Sequence, residues 1–299
     1  MSKPPFNPFS PVPPTDRPWG VNFGGGLNST ALVVDLVSVG YRPHWVLFAD
    51  TGDERPATYA NVVRLARWLE AHGLRLSVTR WWRQRAKDER TEEGRRNADA
   101  AVARLAEWET WRPGVPGEWF ETLGDYSLRT GYMPSVAYGY AGCTTKFKRQ
   151  PAERWRLANG FADTVYAIGF DANEHARVAK RRCQSTDGVG FEPWYPLYAL
   201  KVDREGCAKI VAAHDMPAVP KSACSFCPHN KSHEWQALAV SEPTKFAEAL
   251  AIEANAEARG NASTFGLRRS QGYLRDLPLA GQVPDEEGPP CECFEASES

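Results

Sequence analysis

Apolar and polar positions alternate between two spacings in the first part of the chain. Val21 to Phe23 form a short apolar block that ends in three consecutive glycines, Gly24, Gly25 and Gly26. Asn28, Ser29 and Thr30 then open the run Ala31-Leu32-Val33-Val34-Asp35-Leu36-Val37. Its apolar stripe predicts a helix over about 29–39, with Gly40 as its stop. His44-Trp45-Val46-Leu47-Phe48-Ala49 is apolar throughout and suits a buried parallel strand. Pro56 starts a second helix to about residue 72, with Val62, Val63, Leu65, Ala66 and Leu69 on its buried side. Leu74 to Val78 alternate as a third strand.

The pattern then weakens. Residues 80–112 carry dense mixed charge after Trp81-Trp82-Arg83-Gln84-Arg85. They read as a solvated helical insertion, or as a lid whose Arg/Trp cluster stacks on a base or holds a nucleic-acid backbone. Residues 113–140 are rich in glycine, proline and tyrosine and read as loop. A helix follows from about Cys143 to Ala158, a strand over 164–170, a helix over about 203–214, a turn from Pro217 to Ser222 and two helices over 231–259. Trp235, Leu238, Phe246, Leu250 and Ile252 are the expected core of those last two. The domain division that results is an extended or disordered arm (1–17), an α/β domain (18–200) with an insertion at 80–140, a helical region with cysteines (201–278) and a mobile tail (279–299).

Strand, glycine turn and helix together present backbone N–H groups and the positive end of a helix dipole to an anion. Glycines let the backbone approach a phosphate and take positive φ. Asn28 or Ser29 is placed to cap the helix. Asp50, at the carboxyl end of the second strand, is placed for a ribose, an adenine edge or a magnesium ion. The loop has neither the lysine of a Walker A motif nor the G-x-G-x-x-G spacing.

At 299 residues the chain is long enough for a large core, and its formal net charge of −1 calls for neither a polyanion nor an acidic membrane. No apolar run has the length of a membrane span, and the proline-rich start lacks a signal peptide's apolar core, so a cytoplasmic location is expected. In that compartment seven cysteines point to metal or redox chemistry. Cys224-Ser-Phe-Cys227-Pro228 offers two thiolates in a tight turn for one ion or one cluster face. His229 and His233 are weaker zinc candidates. Cys183, in Lys-Arg-Arg-Cys, sits in an electropositive setting that lowers a thiol pKa.

Several segments, in order, resemble the PP-loop ATP pyrophosphatases and the phosphoadenosine-phosphosulfate (PAPS) reductase family. Residues 24–29 are similar to the family's Ser-Gly-Gly-x-Asp-Ser loop, with Gly24 for Ser and Asn28 for Asp. Phe48-Ala-Asp-Thr-Gly-Asp-Glu-Arg-Pro-Ala-Thr-Tyr59 resembles its Asp-Thr-Gly-x-Glu-x-Pro-x-Thr segment. Gly169-Phe-Asp171-Ala-Asn173-Glu174-His-Ala-Arg177 resembles Gly-Ile-x-x-Asp-Glu-x-x-Arg, with Asn173 for Asp. In this family a cysteine is also followed by Lys/Arg and Pro, as Cys143 is by Lys146, Lys148 and Pro151. The distance from Cys143 to Cys224 resembles that between the cluster cysteines of the iron–sulfur sulfonucleotide reductases. There the upstream partner is a Cys-Cys pair, while residue 144 here is Thr.

The resemblance implies a doubly wound, mostly parallel α/β sheet of the adenine-nucleotide α-hydrolase type. It implies ATP or another adenine nucleotide held by Gly24, Gly25, Gly26, Asn28, Ser29, Thr30, Asp50, Gly169 and Glu174, with Arg177 as an oxyanion clamp and Lys146 with Mg2+ at the pyrophosphate. It implies a [4Fe-4S] cluster on Cys143, Cys224 and Cys227, for which Cys207 is offered as the fourth thiolate that residue 144 does not supply, with zinc as the alternative. Two chemistries are compatible. One is adenylation of a substrate, with release of AMP and pyrophosphate, followed by sulfur transfer, as in tRNA thiolation and DNA phosphorothioation. The other is sulfonucleotide reduction, with Cys293 of the Glu-Cys tail attacking sulfur. A nucleotide sensor or partner protein without turnover is the non-enzymatic reading. The partners implied are a tRNA or DNA substrate, a sulfur-donor protein and further copies of the chain, with no membrane.

Overall fold

The computed structural model describes residues 5–81, 92, 120–134, 142–184, 191–219, 221–261, 266–268 and 272–278. Cys291, Cys293 and the Cys183 side chain, together with most of the charged insertion and all of the acidic tail, lie outside the described residues.

Five parallel strands form one sheet in the order β3-β2-β1-β4-β5. They are β1 (Trp19–Phe23), β2 (Trp45–Asp50), β3 (Leu76–Arg80), β4 (Thr164–Ala167) and β5 (Phe191–Trp194). Helix α1 (Leu27–Ser38) follows β1, and α2 (Pro56–Ala71) follows β2. The doubly wound α/β class is therefore as expected. The strands that diverge in chain order are β1 and β4, which pair directly, so the crevice for a ligand opens at their carboxyl ends. All of β2 is buried, which is why its apolar run does not alternate.

Among the elements that escaped the periodicity, two have clear local reasons. β5 has the sequence Phe-Glu-Pro-Trp, too short and too polar to register as a strand. Its proline is tolerated because β5 is an edge. Residues 5–17, expected to be extended or disordered, cover that edge. Tyr195 N–H donates to the Pro8 carbonyl at 2.8 Å, Trp194 Nε1 to the Ser10 carbonyl at 2.7 Å, and Arg17 pairs with Glu192 at 2.5 Å. The other surprise is α3 (Leu123–Thr130), inside the stretch read as loop. Thr122 caps it by accepting from Asp125 N–H, and Gly131 stops it at φ 72°.

The second half adds a π-helical turn (Thr145–Arg149) running into α4 (Gln150–Ala158), then α5 (His175–Gln184), α6 (Pro196–Ala199), α7 (Arg204–Ala213), α8 (Ser232–Ser241) and α9 (Pro243–Ala258). The expected domain boundary at residue 200 does not match the packing. α7 packs on α1 within the sheet core. Leu123, Met133 and Phe147, from before that boundary, join Phe226, Trp235, Leu238 and Ile252 in a second core. Among the described residues no helix is long and apolar enough to cross a membrane.

Candidate functional site

The glycine loop lies where β1 hands over to α1. Gly25 adopts φ +77°, and a Cβ there would come within 2.7 Å of the Thr58 methyl. Gly26 is the N-cap of α1, with no side chain capping it. The expectation that Asn28 or Ser29 caps the helix is corrected here, because the helix begins at Leu27. The Ser29 and Thr30 hydroxyls instead turn back to the Gly26 carbonyl, at 3.0 and 2.8 Å. Gly24 N–H donates to Ser29 Oγ at 3.3 Å.

Asn28 reaches across to the loop after β4. Its amide donates to Asp171 at 2.9 Å and to Glu174 at 3.1 Å. Gly169 permits this approach, since a Cβ there would stand 3.0 Å from Ser29 N. Glu174 also accepts from Asp171 N–H at 2.9 Å and pairs with Arg177, whose guanidinium lies 4.3 Å from the centre of the Phe170 ring. Arg177, expected as an oxyanion clamp, is thus engaged by a carboxylate and a ring.

Asp50 also differs from expectation. It is 1 % exposed and accepts from Arg80 (2.7 and 2.9 Å), Tyr59 (2.7 Å) and Gly52 N–H (2.8 Å). Its carboxylate holds the loop after β2 rather than facing a ligand. Lys146, expected at pyrophosphate, donates to Tyr126 Oη at 2.9 Å and sits over the Tyr126 and Trp81 rings.

Three of the four proposed cysteines converge. Cys143, Cys224 and Cys227 line one cavity of about 450 Å3, part of it open solvent, with Thr51, Lys148, Phe226, Pro228 and His229 also on its wall. Cys207 is not among them. It is fully buried on α7 in the sheet core, and burial pushes its thiol up to about 12. The fourth-ligand role is therefore corrected: α7 packs against α1, away from the C-x-x-C turn. His233 is exposed.

The cavity is stitched to the loop after β2. Arg55 N–H donates to the Ala223 carbonyl and Ser225 N–H to the Asp53 carbonyl, so residues 53–55 and 223–225 pair antiparallel. Thr51 Oγ1 lies 3.2 Å from Cys224 Sγ, and Cys224 Sγ donates to Glu54 at 3.6 Å. Lys148 forms an ion pair with the same Glu54 oxygen at 2.9 Å. Burial works most strongly against the Lys148 ammonium, but Glu54 together with Cys224 and Cys227 holds its pKa above the ordinary lysine value. The π-helical turn supplies both lysines in different directions, Lys146 to the aromatic group and Lys148 to the thiols.

Burial raises all three thiols, Cys227 to about 11 and Cys143 and Cys224 in the same direction. Without a cationic centre they stay protonated, and a metal would convert them to thiolates. The donor types are those of a thiolate-held centre, but as placed they do not form a ready-made one. Among the described residues no three His, Cys, Asp or Glu side chains form a group that could hold a metal ion. Thr51 and Glu54 are the site residues that sequence reasoning missed, while Lys148, singled out with Lys146 after Cys143 as a phosphate contact, lies at Glu54 beside the thiols. The signal was the Asp-Thr-Gly-Asp-Glu segment, read for Asp50 alone.

Asp53 on the same loop accepts from Gly124 N–H at 2.7 Å and lies 3.5 Å from Lys245. Burial raises its pKa to about 6. A carboxyl raised above its unfolded value stabilises the fold below pH 4 and loses that contribution as pH climbs through 6. Asp53→Asn keeps an acceptor for Gly124 and removes the charge, while Lys245 keeps its closer partner Glu248 at 2.8 Å. Urea unfolding is expected to find the variant about 1–2 kcal/mol more stable than the parent at pH 7.5, with the difference vanishing near pH 4.

Fold and site together define a doubly wound, parallel α/β protein with a glycine loop at the strand switch point and a three-cysteine cavity beside the loop after β2. No protein-family model matches the chain, and no curated protein matches it. Among solved structures it is similar to the U34-tRNA thiolase NcsA from Methanococcus maripaludis with its [4Fe-4S] cluster, at 10 % identity over 86 % of this chain and 78 % of that one. The TM-score of 0.40 is too low for this likeness to bear on the site.

Proposed function

We propose that the chain binds an adenine nucleotide with its phosphates on residues 24–29 and carries an iron–sulfur centre on Cys143, Cys224 and Cys227. On this reading it is an enzyme that couples ATP-dependent adenylation to sulfur transfer. The observation that carries it is the convergence of two buried thiols and the half-buried Cys143, from two segments distant in sequence, on one cavity walled by Thr51 of the loop after β2. Thiolates alone suit either a cluster or one zinc ion, and the choice of iron rests on the resemblance of the Cys143–Cys224 separation to that of the iron–sulfur sulfonucleotide reductases. When bound, a cluster with three protein thiolates supplies an iron position open to an exogenous sulfur ligand.

The chain's own residues supply the rest. Backbone N–H groups at the mouth of α1 meet the phosphates, where they favour negative charge. Lys148 and Glu54 hold a fixed charge pair against Cys224, and Leu123, Pro134, Phe226 and Pro228 keep the cavity apolar. Asp50 is committed to Arg80 and Tyr59, so magnesium is not assigned to it. A nucleic-acid acceptor and a sulfur-donor protein complete the proposal.

The test is an anaerobic preparation assayed for iron, acid-labile sulfide and visible absorbance, followed by incubation with ATP. About four irons per chain are expected. Serine at Cys143, Cys224 or Cys227 is expected to remove most of the iron, whereas Cys207→Ser retains it. ATP is expected to yield AMP and pyrophosphate. Zinc in place of iron, or no nucleotide turnover in the loaded protein, would overturn the reading.

A further inference from the structure

Behind the glycine loop, α2 carries a side chain that no motif singles out. Asn61 is 1 % exposed. Its amide nitrogen donates to the Gly25 carbonyl at 3.0 Å and to Thr30 Oγ1 at 2.9 Å, and Thr30 Oγ1 donates in turn to the Gly26 carbonyl. Its own carbonyl oxygen is buried with no hydrogen-bond partner among the described residues. A leucine of nearly the same shape would fill this position without that orphan, so packing alone does not account for an amide here.

The peptide unit supplies the reason. The Gly25–Gly26 peptide is trans, as are all the described peptides, so its C=O and N–H point in opposite directions. Drawing the Gly25 carbonyl back towards α2 turns the Gly26 N–H away from α2, at the residue where α1 starts. Gly25 at φ +77° has no Cβ to resist this orientation, and the Thr58 methyl fills the space behind it.

We infer that Asn61 is a positioning residue. It holds the Gly25–Gly26 peptide so that the Gly26 N–H is presented to the phosphate of a bound nucleotide, and it touches no ligand itself. The inference rests on the nucleotide reading proposed above.

The experiment is calorimetric titration of the full chain with ATP and, separately, with adenosine. In Asn61→Ala the affinity for ATP is expected to fall roughly tenfold, the worth of a lost backbone-directed hydrogen bond, while adenosine binds within twofold of the parent. Equal weakening of both ligands would mean a loosened fold and overturn the inference. So would ATP binding within twofold of the parent. If Asn61→Ala does not fold, the parent still decides the question: its Gly26 amide resonance is expected to move with ATP and not with adenosine, and an unmoved resonance in the ATP-bound state overturns the inference. A parent chain that binds no adenine nucleotide removes the functional reading itself, a result distinct from binding without a shift of Gly26.

Discussion

Replacing Lys148 with methionine is expected to cost about 3–5 kcal/mol of stability in the metal-free protein, the usual penalty for leaving a buried charge without its partner. Lys148 is 7 % exposed and Glu54 2 %. Their 2.9 Å ion pair uses one Glu54 oxygen, and the other is buried with no partner among the described residues. Methionine fills the stem's volume but leaves a carboxylate facing Cys224 and Thr51. Lys148→Met combined with Glu54→Gln is expected to recover most of the loss, because the stranded charge is gone. A double-mutant cycle in urea at pH 7.5 measures this. A single-variant cost below about 1 kcal/mol would show that water reaches the pair and that it behaves as a surface ion pair.

That ion pair marks the limit of what the sequence discloses. The parallel sheet was legible because β1, β2 and β4 are apolar runs followed by turn residues, and α1 and α2 carry clear stripes. The convergence of Cys143 with Cys224 and Cys227 was legible only through a resemblance in spacing, since nothing local in Gly-Cys-Thr-Thr announces a partner so far along the chain. Cys207 was misjudged because a thiol at the start of a helix reads alike as ligand or as core. Only the packing of α7 on α1 separates the two. Asp50 and Arg177 were assigned to a ligand by position, yet each finds a protein partner of opposite charge, Arg80 and Glu174, that periodicity does not reveal. Helix α3 was the avoidable miss, because Thr122 and Gly131 bracket it as cap and stop.

The Asn28 position yields the second large effect. The loop that residues 24–29 resemble has aspartate there, and the later segment has aspartate where Asn173 stands. Asn28 donates to both Asp171 and Glu174, and Asn173 N–H donates to Asp171 at 2.9 Å. Negative charge absent at 28 and 173 is thus carried at 171, a position the resemblance leaves unspecified, and the amide of Asn28 satisfies it. Asn28→Asp would set a third carboxylate within hydrogen-bonding distance of two others and remove the donor between them. We expect a loss of about 3–4 kcal/mol at pH 7.5, between the high-dielectric and fully buried limits for charges this close. The repulsion raises the carboxyl pKa values in the folded state, so the penalty should shrink as pH falls towards 4 and protons replace the missing donor. Millimolar magnesium should also return part of the stability to the variant while leaving the parent's urea midpoint unchanged, since three convergent carboxylates suit a hard cation and an amide between two does not. If the variant matches the parent at pH 7.5 without divalent cations, Asn28 is not the group that balances Asp171 and Glu174. The two departures from the aspartate pattern would then be independent substitutions rather than a charge moved to a neighbouring position.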